Sequence, residues 1–111
     1  MLFPDFIKSF PGLDVPFPED IVKCHAIKSD RGLVVFFDIL QDTVLPAHSH
    51  GAQWGTVLAG EVEFTIGDVT RTYGPGDSYS IPAGVVHSAV IPAGAKVIDV
   101  FEEADRYPLR N

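Results

Sequence analysis

Two histidines separated by one residue, His48 and His50, followed at once by Gly51-Ala52-Gln53, are the side chains of this 111-residue chain whose types and spacing point most directly to chemistry. Side chains alternate along an extended segment, so His48 and His50 share one face and offer two imidazole nitrogens to a single cation. Borderline divalent ions such as Ni, Fe, Mn, Co, Cu or Zn take imidazole nitrogen readily. A second feature is Asp99, a carboxylate inside the apolar run Val97-Ile98-Asp99-Val100-Phe101, where alternation puts Val97, Asp99 and Phe101 on one face. If it faces an interior, burial raises its pKa, a nearby cation lowers it, and it is placed for general acid or base work. The alternative is a hydrogen-bonded structural aspartate. His25 has no partner pattern and reads as structural or exposed. Glu61 and Glu63 fall on the polar side of an alternating strand and read as solvated.

These residues need a scaffold, and composition bounds it. The length fits one domain with a small core, and 46% apolar residues argue against disorder. A net charge of −7 disfavours nucleic acid and anionic membranes, since both require a basic footprint. Cys24 is the single cysteine, so neither a disulfide framework nor a thiolate cluster is available within the chain. A soluble protein of the reducing cytoplasm is expected, because prolines interrupt the N-terminal apolar residues and no run is long enough to span a bilayer.

Residues 1–20 form an arm in which Phe3, Phe6, Ile7, Phe10, Leu13, Val15 and Phe17 are threaded between prolines. Phe3, Phe6, Ile7 and Phe10 recur at helical spacing, which predicts one short helix ending before Pro11. These aromatics must cover either the outside of the same domain or a partner subunit, and a homodimer contact is the favoured expectation. From residue 21 the chain reads as β. Ile21–Ile27 and Leu33–Leu40 are strand-like around Ser29-Asp30-Arg31-Gly32, and Val62, Phe64 and Ile66 alternate with polar residues before Gly67-Asp68 turns into Val69–Tyr73. Ser78–Ile81, Val85–Ile91 and Ala95–Phe101 follow between Gly/Pro turns. The expectation is an all-β sandwich or barrel over residues 21–111.

Gly76-Asp77-Ser78-Tyr79-Ser80-Ile81-Pro82-Ala83-Gly84-Val85-Val86-His87 resembles the second motif of the cupins, and His48-x-His50 with Gln53 to Gly60 is similar to the first. The resemblance implies a double-stranded β-helix, or jelly-roll barrel, with His48, His50, Gln53 and His87 as ligands of one divalent transition metal. Gln53 stands where most cupins carry a glutamate, and it follows His50 more closely than usual. A neutral amide there leaves the full divalent charge on the ion, favouring an anionic ligand. Trp54 is expected to face away from Gln53.

The run Gly60–Gly67, the segment ending at His87, and Asp99-Val100-Phe101 are similar to the small cupins of pectin and alginate degradation, which convert unsaturated uronates to linear keto sugars. That likeness implies catalytic roles for Asp99 and Phe101, and for Arg106 as the following basic residue. The expected function is therefore ring opening or isomerisation of a small anionic sugar acid. An Fe- or Cu-dependent dioxygenase and a non-catalytic small-ligand module are the alternatives.

Overall fold

The period-two pattern produces strands in the expected order. The computed structural model describes residues 3–110. It contains a short helix α1 (Asp5–Lys8) and strands β1 (Val22–Ser29), β2 (Gly32–Ile39), β3 (Thr43–His48), β4 (Gln53–Ala59), β5 (Val62–Ile66), β6 (Val69–Tyr73), β7 (Ser78–Ile81), β8 (His87–Ile91) and β9 (Lys96–Phe101). β1 and β2 form the first predicted hairpin, with Ser29 opposite Gly32. β5 and β6 form the second, where Gly67 adopts a φ of 61° that most side chains disfavour.

The strands make a five-stranded sheet, ordered β1-β2-β9-β4-β7, and a four-stranded sheet, ordered β3-β8-β5-β6. Every pairing is antiparallel. Their inner faces meet in one core, with Val22, Ile39, Val57, Tyr79, Ile81 and Val97 from the larger sheet against Val62, Phe64, Tyr73 and Ala89 from the smaller. This is the all-β jelly-roll architecture that the sequence predicts. The turns outrank hydrophobicity at strand ends: Val85 and Val86 read as strand but lie before β8, because the amide of Val85 donates to the Pro82 carbonyl in a turn.

The arm packs on its own barrel. Phe3 is buried, with its ring edge-on to Phe36 at 5.8 Å, and Leu13 is buried among Cys24, Ala26, Leu33, Val35 and Phe101. The Ala26 amide donates to the Pro11 carbonyl, and Gly12 bridges His25, so the arm covers part of the free edge of β1. Leu13 in turn bridges Leu109, placing the arm between β1 and the C-terminal tail. Phe3 and Phe10 thus cover the barrel's own Phe36, while Phe6 stays 66% exposed and free for the partner contact expected of the arm. The helical spacing yields only one turn, since Pro4 precedes it and Pro11 follows.

Candidate metal centre

His48 is the last residue of β3 and pairs directly with His87, the first residue of β8. The pairing register slips between Leu45 and His48, so the strand ends irregularly and the chain leaves the sheet there. His50 is therefore not on the same strand as His48; it reaches the site from the loop before β4. The C-terminal tail and the turn before β8 hold that loop. The Gly51 amide donates to Glu103 Oε1 at 2.7 Å, the Ala52 amide to Glu102 Oε2 at 2.8 Å, and the Gly84 amide to the His50 carbonyl at 2.9 Å. These bonds make the short Gly51-Ala52 step compatible with a defined position for Gln53.

The three rings converge, with centroids 4.3 Å apart for His48 and His87, 4.8 Å for His50 and His87, and 5.2 Å for His48 and His50. One ligand atom from each lies within 4.8 Å of the others. Every ring bonds through Nδ1 to a backbone carbonyl: His48 to Pro46 at 2.8 Å, His50 to Gly51 at 2.8 Å, His87 to Val85 at 3.0 Å. A carbonyl only accepts, so each Nδ1 carries the proton and each Nε2 keeps its lone pair. His87 Nε2 is buried without a hydrogen-bond partner, an arrangement a cation would satisfy.

Burial pushes the pKa of His50 and His87 down, outweighing the bonds to the Gly51 and Val85 carbonyls, which push up. The guanidinium of Arg106 and the neighbouring histidines add to the lowering. Neutral imidazoles are the form that binds a metal. The donor set thus fits a borderline divalent ion.

Gln53 opens β4 with its side chain inward, and it lines the same pocket as His48, His50, Tyr79, Asp99 and Phe101. Its neighbour Trp54 points outward, 45% exposed. Asp99 faces the interior and is 5% exposed. Burial lifts its pKa to about 6, against the opposing effect of hydrogen bonds from Tyr79 and Gln53. Phe101 is buried with its ring 5.7 Å from that of His50. Arg106 stacks over Tyr107 at 4.5 Å, and among the described residues no carboxylate pairs with it and its Nε has no partner. All seven residues singled out from the sequence are brought to one end of the barrel. His25 is instead a structural residue whose Nδ1 bonds the Phe10 carbonyl at 3.1 Å, and Glu61 and Glu63 are exposed.

Tyr79, Gly55, Glu102 and Glu103 were not foreseen. Gly55 alone left a trace, since a glycine inside a strand pattern signals close approach of another group.

Residues 35–101 match the family model described as Cupin domain. No curated protein matches. Among solved structures, KdgF from Halomonas sp. is 23% identical with a TM-score of 0.73, covering 87% of this chain and 97% of that one. An RmlC-like cupin from Shewanella frigidimarina NCIMB 400 is 24% identical with a TM-score of 0.76, covering 89% and 88%. Oxalate decarboxylase from Bacillus subtilis, described with Mn(II) centres, is 20% identical with a TM-score of 0.72; the match covers 88% of this chain but 28% of that protein.

Proposed function

The chain belongs to the cupin family, and on that premise we propose that it is a metal-dependent enzyme moving a proton on a small oxygenated acid. The concrete candidate is ring opening or isomerisation of an unsaturated-uronate-like sugar acid. The observation that carries this reading is a three-histidine cluster, with His87 Nε2 buried and unpartnered, two of whose members, His48 and His50, line one pocket together with the buried carboxyl of Asp99. His48, His50, His87 and Gln53 would hold one divalent transition metal. Such an ion supplies Lewis-acid polarisation of an oxygen ligand, undiminished by any anionic protein ligand. Arg106, whose charge acts on His50 and His87, would receive the substrate carboxylate. Asp99, with its pKa lifted toward the working range, would take and return the proton, and Phe101 would wall the pocket against water.

The test is elemental analysis of protein purified without a metal-affinity tag, then a screen of unsaturated uronates and other small acids with and without dioxygen. Near-stoichiometric metal and dioxygen-independent turnover are expected. Turnover only with dioxygen would replace this reading with the dioxygenase one, and inability to bind any of the six metals would refute it.

A cytoplasmic homodimer belongs to the same proposal. Ile27, Val34, Val100 and Trp54 lie in register across the outward face of the larger sheet, and Ile27 and Trp54 are nearly half exposed. Light scattering should give twice the chain mass, and a monomer at high concentration would sink the dimer.

A further inference from the structure

β4 runs between β9 and β7, and Gly55 on β4 pairs with Asp99 on one side and Tyr79 on the other. All three positions face inward. Lacking a side chain, Gly55 leaves a gap through which the Tyr79 hydroxyl reaches over the central strand and donates to Asp99 Oδ1 at 2.5 Å. A Cβ at Gly55 would sit 2.5 Å from Tyr79 Cζ and closer still to both bonded oxygens. One pairing step along β4 is Gln53, which pairs with Phe101 and is a diagonal neighbour of Asp99. The Gln53 side chain faces the same interior and lies near enough to Asp99 to lower its pKa, so its amide is the group placed to donate to the carboxylate. An ionised carboxylate only accepts, so Gln53 turns its NH2 to Asp99, which leaves its carbonyl oxygen for another partner.

We propose that Tyr79 is a positioning residue of the metal centre: through the gap at Gly55 it fixes Asp99, and Asp99 fixes the Gln53 amide with the oxygen free for the cation. This rests on the reading of Gln53 as a ligand. Asp99 thereby has a second duty beside proton transfer. Without Tyr79 its carboxylate can rotate, and the amide it holds loses a fixed orientation. Outer partners of this kind typically change metal affinity about 10- to 100-fold when removed.

The experiment uses the full chain with Co(II) as the probe, reading both dissociation constant and visible absorption, with circular dichroism to establish folding. Tyr79→Phe should weaken Co(II) binding about tenfold and shift the absorption bands. Gln53→Ala should weaken it at least as much, and adding Tyr79→Phe to Gln53→Ala should cost little more, because the two act through one ligand. Asp99→Asn keeps the shape but lets both amides donate, so it should reproduce the loss; it decides the matter if Tyr79→Phe does not fold. Parental affinity and spectrum in folded Tyr79→Phe, with Gln53→Ala weakened, would overturn the proposal and spare the ligand set. Parental binding in Gln53→Ala would overturn the ligand assignment and this inference with it.

Discussion

Replacing Gly55 by alanine adds one methyl group at a point where two side chains already meet. The new Cβ would lie 2.5 Å from Tyr79 Cζ, with the Tyr79 hydroxyl and Asp99 Oδ1 nearer still, whereas real Cβ atoms essentially never come within 3.0 Å of such neighbours. Tyr79 must move by at least about 0.5 Å, and it is packed against Phe64 at 4.4 Å and Tyr73 at 5.4 Å between ring centroids. Overpacking of this kind costs about 1–3 kcal/mol. Breaking the Tyr79–Asp99 bond, made to a buried carboxyl, adds about 1.5–3 kcal/mol. The expected loss is therefore about 2.5–6 kcal/mol, or a fall of about 10–24 °C in Tm at about 4 °C per kcal/mol. Thermal and urea unfolding of the metal-free protein measure it. Gly74→Ala is the matched control, since nothing lies within 4 Å of a Cβ there, and it should be near neutral. Tyr79→Phe added to Gly55→Ala should restore part of the loss by removing the hydroxyl. A Tm of Gly55→Ala within about 3 °C of the parent would refute the idea that this gap is filled by a fixed Tyr79–Asp99 contact.

Alanine at His48, His50 or His87 should each reduce bound metal, and full occupancy in the triple variant, by elemental analysis, would end the metal assignment. Asp99 supplies a pH dependence with a definite sign. Its folded pKa, about 6, lies above its ordinary value of 3.8, so the metal-free fold binds this proton more tightly than the unfolded chain. The stabilising contribution is whole below 3.8 and is lost as pH rises through 6, an amount on the order of 3 kcal/mol. Urea unfolding of parent and Asp99→Asn between pH 4 and 7 should show their stability difference drifting by that amount, and a pH-independent difference would contradict it. Deleting residues 1–17 removes Leu13, worth about 2–3 kcal/mol of burial, and uncovers the edge of β1; light scattering should show aggregation, and a well-behaved, fully stable species would refute the capping role.

Sequence alone determined the strands and the barrel, because alternation such as Val62-Phe64-Ile66 and turns such as Gly67-Asp68 are local signals. It also supplied the ligand candidates, since His48 and His50 are read from residue type and spacing, and His87 from the resemblance of the Gly76–His87 segment to the second cupin motif. What it left open was how His50 arrives. The same-face argument assumes a continuing strand, but the slip in β3 ends the strand at His48, and Glu102 and Glu103, some fifty residues away in sequence, hold the loop. The placement of Asp99 was half legible: alternation put it on a face, but only the antiparallel pairing of β7, β4 and β9 decided that Tyr79 meets it across Gly55. Residue order fixes which side chains share a face of one strand. Which strands lie side by side, and in what register, depends on burying both sheets in a common core, and that is a property of the whole chain.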